Sequence, residues 1–329
     1  MPEHVPWSVA VPPEVYTEYC GVTMGDYHAD PAVQMHVQLR GPEILHEKYG
    51  LPLRRSVAPD FSSYIDASLF GLEVDFSEDN IPSPKGHPLK SIEQAAALTV
   101  PQDISNAGLY PGALEFYEYM KANAPDDVSV GFGGGGEAPV TNAILLRGQD
   151  FLLDIYDRPD LAHKFLATLT EANIRQREFA RELTGQSGPM ESIGYCDDFG
   201  GLLTPEQYTE FNLPYLLRIA DHFGAEKRHI HTELLRKPHL KILQDHGWVS
   251  IDVGTDPYLT VTDCREVLDI AFLVQFKTSE DMLLSDPQRI EEKYREMVEE
   301  GAQRMVVEIC RGVPEENIRA FIEVAREYE

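Results

Sequence analysis

The chain has no apolar run near the roughly 20 residues of a membrane span, and no basic region followed by an apolar one at its start. Neither insertion nor export is therefore expected, and the sequence reads as a cytoplasmic protein. Positive charge is scarce: 28 Lys and Arg stand against 55 Asp and Glu, a formal net charge of −27. Such a surface repels phosphate backbones and anionic lipid, which removes nucleic acid and the membrane from the expected partners. Cysteine is thin as well. Cys20, Cys196, Cys264 and Cys310 include no close pair, which excludes a disulfide framework and fits a reducing compartment. The four-glycine run Gly133–Gly136 is not a phosphate loop, because no Gly-Lys-Ser/Thr follows it. Those glycines serve a turn or a close backbone approach.

What is present is alternation. Short apolar runs at Asp127–Phe132, Met190–Tyr195, Lys227–Glu233, Trp248–Val253, Ile270–Gln275 and Met305–Ile309 are separated by stretches with helical spacing. Leu161, Phe165 and Leu169 mark one such helix, and Ile318, Phe321, Ile322 and Ala325 mark the last. Strand-helix repetition over 329 residues predicts a single (β/α)8 TIM-type barrel. Residues 1–50 form an N-terminal helical arm packed on it, with Pro31–Tyr49 patterned as a helix, and Glu78–Gly86 is a loop.

A barrel gathers its chemistry at the C-terminal ends of its strands. In Lys227–Glu233 alternate residues share a face, so His229 and His231 can reach one ion. Cys310 ends the last apolar run and offers a soft third donor, giving a His-x-His…Cys metal site. The plainer alternative is a pair of rim histidines and a small buried cysteine. Asp197 and Asp198 follow a strand and are catalytic candidates, either to orient a metal-bound imidazole or to accept a proton from substrate. Capping of the helix after Thr204 is their structural alternative. Glu308 shares the face of Cys310 and is a fourth ligand or a rim carboxylate. Glu233 is structural, Cys196 is buried, and Tyr64, Tyr195 and Lys277 line the substrate pocket.

Several stretches resemble the uroporphyrinogen decarboxylase superfamily, and more closely its methyltransferase branch. They are His87–Ser91, Leu145–Gly148, Asp154–Ala162, Asp197–Tyr208 and Val313–Ile318, spread over roughly three quarters of the chain. The resemblance implies the same barrel and a zinc enzyme that passes methyl groups between a corrinoid (cobalamin) protein and a small O-, N- or S-methyl compound. It also implies barrels that often pair, so a homodimer is an expectation. By position His229 takes the histidine of the branch's His-x-Cys…Cys pattern, His231 its first cysteine and Cys310 its second. The arginine-rich N-terminal stretch with which the decarboxylases hold a polyanionic tetrapyrrole has no counterpart here; Arg40, Arg54 and Arg55 stand alone.

Histidine at position 231 changes the expected chemistry. Zinc held by two imidazoles and one thiolate carries a net positive charge, whereas one imidazole and two thiolates leave it neutral. The more electrophilic ion favours polarising a leaving heteroatom, hence demethylation, and iron, cobalt or nickel also suit such donors. Two other outcomes stay open: a decarboxylase-like lyase or hydrolase acting on a small acid, and a metal-binding barrel without turnover.

Overall fold

A computed structural model describes residues 4–329. Eight short strands succeed one another: β1 (Trp7–Ala10), β2 (Ser56–Val57), β3 (Ser129–Val130), β4 (Ser192–Asp197), β5 (Lys227–Thr232), β6 (Trp248–Asp252), β7 (Ala271–Phe276) and β8 (Met305–Glu308). Strands β4 to β8 and then β1 form one continuous parallel sheet, in which β1 pairs with β8. β2 pairs with β3. The chain beyond β3 reaches β4 through hydrogen bonds from Cys196 N to Gly136 O (3.0 Å) and from Ala138 N to Cys196 O (2.8 Å). The result is the TIM barrel of the sequence expectation, with one seam, β1 to β2, carrying no ladder among the described residues.

The arm differs from its expected form. Residues 7–10 are the first barrel strand, and the helices of the arm begin only after it: Pro13–Cys20, Met24–Ala29 and Pro31–Tyr49. The four-residue strand was hidden because Trp7–Ala10 carries no alternation long enough to register. The expected loop at Glu78–Gly86 contains half of a small antiparallel hairpin, Val74–Asp75 with Ser83–Pro84.

Strand alternation sorts the side chains. In β4, Ile193, Tyr195 and Asp197 are buried against the helices while Gly194 and Cys196 face inward. In β5, Ile230 and Thr232 are buried outward, and His229 and His231 point into the lumen. Trp248, Phe272, Phe276, Tyr294 and Phe321 fill the space between sheet and helices, each fully buried. A side chain of that size contributes about 1.5–3 kcal/mol by leaving water. Helix starts hold the loops of the mouth in place: Thr204 and Gln207 close a reciprocal cap on Pro205–Phe211, and Thr260 with Asp263 do the same for Val261–Val267. The closing helix Glu315–Arg326 buries Ile318, Phe321, Ile322 and Ala325, the stripe its spacing predicts.

Candidate active site

The lumen is layered by register. Cys196, His231 and Asp252 lie opposite one another on β4, β5 and β6, and one layer below them lie Gly194, His229 and Ser250. Gly194 has no side chain, and it leaves a cavity of about 360 Å³ bounded by both histidines, Ser250, Asp252 and Leu273. The two imidazoles share the lumen face, as their spacing predicts, but each has a different partner. His229 Nδ1 is 2.6 Å from Ser250 Oγ.

His231 stands between two carboxylates. Its Nδ1 is 3.1 Å from Asp252 Oδ2 and its Nε2 is 3.5 Å from Asp198 Oδ1. Asp252 is itself fixed, accepting from Gly254 N (2.8 Å) and from Gln275 Nε2 (3.2 Å to Oδ2). Burial by itself lowers the pKa of His231, but the hydrogen bond and charge of Asp252, with the charges of Asp198 and Glu233, outweigh it and raise it above the ordinary 6.5. Burial raises the pKa of Asp198, with the imidazole pulling it back. The two carboxylates therefore favour the imidazolium more than water does for an ordinary histidine.

Asp197 plays another part. It is the last outward residue of β4, fully buried, and it accepts from Asn212 Nδ2 (2.6 Å), Tyr208 OH (3.4 Å) and Thr141 Oγ1 (3.4 Å). Burial pushes its carboxyl up to about 6, against the pull of Asn212. The strand runs two residues further than its apolar pattern suggests, so the alternation carries Asp197 away from the mouth and leaves Asp198 in it. Asp197 is a structural anchor, and the catalytic expectation for it is corrected. Neither aspartate caps the next helix, because Thr204 does.

The other expected residues divide. Tyr195 borders the lumen cavity beside Gly194, but its hydroxyl points outward and donates to Leu216 O (2.9 Å). Lys277 is half-buried just past the end of β7 and is tied to Glu280 at 3.0 Å. Tyr64 stays at the mouth, near enough to Glu137 and Asp198 for their charges to raise its pKa further, after burial. Glu308 faces the mouth and feels the charge of His231, while burial raises its pKa. Cys196 is exposed to the lumen rather than buried in the core; the carboxyls around it and the loss of bulk solvation push its thiol up to about 12, burial being the larger effect. Cys310 is half-buried, its Sγ 3.5 Å from Arg311 O, and its electrostatic neighbours are Glu14 and Glu308. Among the described residues no three His, Cys, Asp or Glu side chains converge as a metal-binding group, so His229, His231 and Cys310 are not brought together. The two imidazoles have different partners, and the charges near Cys310 are those of Glu14 and Glu308.

Sequence reasoning passed over Glu137. It ends the glycine run and is only 5% exposed, with Oε2 lacking any hydrogen-bond partner. The run reaches it through Gly135, whose φ of +71° and contact with Asn173 and Arg177 leave no room for a Cβ. Asp66 pins the same stretch, accepting from Gly135 N (2.7 Å) and Glu137 N (2.9 Å). Burial, then the charges of Asp198, Asp66 and Asp197, push the Glu137 carboxyl up to about 9. The signal available in the sequence was a lone acid inside a glycine run, which says nothing about burial.

The chain matches the family described as "Uroporphyrinogen decarboxylase (URO-D)" over residues 2–328. A uroporphyrinogen decarboxylase of Hydrogenovibrio crunogenus is 26% identical over 241 residues, 71% of this chain and 66% of that protein. One from Flavobacterium johnsoniae is 24% identical over 303 residues, 87% of this chain and 85% of that protein. Among solved structures, a methyltransferase from Methanosarcina mazei superposes with a TM-score of 0.73 at 21% identity, covering 99% of this chain and 94% of that one, a likeness of fold.

Proposed function

Because the chain belongs to the uroporphyrinogen decarboxylase family, we propose that it is a group-transfer enzyme that takes a small O-, N- or S-methyl compound into the mouth and gives its methyl group to a corrinoid carried by a second protein. The observation that supports this reading is the position of His231 between Asp252 and Asp198, whose charges favour its protonated form. When the carbon–heteroatom bond breaks, the leaving atom gains an electron pair, and His231 stands where it can supply the proton. The mouth offers an acid but no activated nucleophile. Both thiols near it, Cys196 and Cys310, are held protonated by raised pKa values, burial leading in each case. The methyl acceptor therefore comes from outside the chain, and a corrinoid supplies a cobalt nucleophile for that purpose.

Three basic side chains near the rim are engaged. Arg236 lies over the Tyr258 ring, Lys277 holds Glu280, and Arg311 donates to the carbonyls of Glu14 and Asp79. A polyanion would find few partners, which argues against a tetrapyrrole substrate. Zinc is the metal the resemblance implies, and the donors present do not fit it: His229 faces Ser250, His231 faces two aspartates, and Cys310 lies apart from both. The same separation disfavours a non-catalytic metal-binding barrel.

A second reading, proton-assisted decarboxylation of a small acid, is favoured by the names of the curated relatives and by the same imidazolium, which could protonate carbon. One experiment separates the two. The protein is incubated with reduced cobalamin and a panel of methylated amines, ethers and thioethers, with methylcobalamin followed by absorbance and carbon dioxide collected in parallel. His231-dependent methylcobalamin supports the proposal. Carbon dioxide released without cobalamin would overturn it.

A further inference from the structure

A second, larger cavity of about 890 Å³ runs from the glycine run along β2 and β3 and shares Cys196 with the lumen. Its size is that of a small-molecule site, for which about 300–1,000 Å³ is usual. Three carboxyls line it, Asp60, Asp66 and Glu137, against one guanidinium, Arg54. Two of the three are already used. Asp66 accepts the N–H groups of Gly135 and Glu137, and Asp60 accepts from Tyr27 OH (3.0 Å) and Ser62 N (3.1 Å). Glu137 is more than nine-tenths buried and its Oε2 has no partner. The rings of Phe61 and Phe132 line the same space.

A buried carboxyl oxygen without a partner is costly unless something completes it. We propose that this cavity binds the head group of an alkylated ammonium ion, with Glu137 as its carboxylate partner and Phe61 and Phe132 as ring surface. Aromatic faces beside a carboxylate are the chemistry that recognises a cation too crowded to donate hydrogen bonds. The proposal rests on the mouth being the substrate site, and it narrows the methyl compound to an N-methyl ammonium. In that case the C–N bond breaks as the methyl group passes to the corrinoid, and the electron pair stays on nitrogen, which leaves as a neutral amine.

The groups facing Glu137 set its pH response. Asp198 and Asp197 at the end of β4, Asp66 on the helix Ile65–Ser68, Tyr64 and Cys196 all crowd it with negative or neutral groups, while a hydrogen bond from Ser63 favours its charge. With its carboxyl up to about 9, the empty site is protonated at neutral pH, so a bound cation expels a proton. Affinity then rises with pH, approaching about tenfold per unit below 9.

The test is calorimetric titration of the full chain with choline and with its neutral isostere 3,3-dimethylbutan-1-ol, in buffers of different ionisation enthalpy. The expected result is at least a tenfold preference for choline, release of about one proton on binding at pH 7, and loss of both in Glu137→Gln with an unchanged melting temperature. A chain that binds neither compound, or a Glu137→Gln variant that keeps the preference, overturns the proposal. Should Glu137→Gln fail to fold, Phe61→Leu is measured instead, and unchanged choline affinity there has the same force. Choline binding without methyl transfer to cobalamin leaves the ammonium site standing and removes the methyltransferase reading.

Discussion

His231 Nδ1 lies 3.1 Å from Asp252 Oδ2, across the seam between two neighbouring strands, and that carboxylate is held from behind by Gln275. The pair sets the imidazole's orientation and its charge. His231→Gln is expected to lower turnover by about 10²–10⁴-fold, the usual worth of a general acid. Asp252→Asn keeps the shape and removes the charge that raises the imidazole pKa. The protonated form is the active one, so activity is present at low pH and lost as pH rises through the raised value; in Asp252→Asn that alkaline limb moves to lower pH. A profile that stays in place would refute the acid role. Stability has the same sign: the pair contributes below pH 6.5 and its contribution fades as pH climbs through the folded value.

Asp197→Ala is expected to act on stability alone. It strands the Asn212 amide and the Tyr208 hydroxyl in the interior, at about 1–3 kcal/mol for each. Turnover per folded molecule at neutral pH should hold. Its carboxyl is raised from 3.8 to about 6, so ionisation costs the folded state more than the unfolded one. Stability from this group is present below pH 3.8 and lost as pH rises toward 6, a slope that urea titrations should find missing in Asp197→Asn. If Asp197→Ala melts like the parent but is inactive, the structural assignment fails.

Gly201 sits where the loops after β4 and β5 touch. An added Cβ would overlap the carbonyl of Glu233 and the backbone of Leu234, neither of which can swing aside. Gly201→Ala should therefore push apart the loops that carry Asp198 and extend from His231. The expected outcome is a fall in kcat of about tenfold or more from misplaced groups, with KM changing less and the melting temperature dropping by a few degrees. Unchanged kinetics would show that the spacing of Asp198 and His231 does not matter.

Metal content gives a fourth check. With His229, His231 and Cys310 apart, Cys310→Ala should retain most activity, and its zinc content should equal that of the parent protein. One equivalent of zinc in the parent, lost in Cys310→Ala, would restore the three-donor site.

The barrel was legible because its signals are local and repeated: apolar runs of strand length separated by helical stripes, as in Ile318, Phe321, Ile322 and Ala325. The pairing of His229 and His231 on one face was legible for the same reason, since a two-residue step on a strand keeps the side. Asp197 and Asp198 were not separable, because a small shift in where the strand ends exchanges which of them looks into the mouth.

The sequence by itself determined the alternation of strands and helices, the barrel that closes them, the acid surface and the inward face of β5, all consequences of period and composition. Only the tertiary structure decided that His231 meets two carboxylates instead of a cysteine, that Asp197 is buried among Asn212, Tyr208 and Thr141, and that Glu137 is a buried acid with one oxygen unpartnered. Those outcomes depend on which distant segments approach one another and how much water remains between them. Neither quantity is written in the order of neighbouring residues.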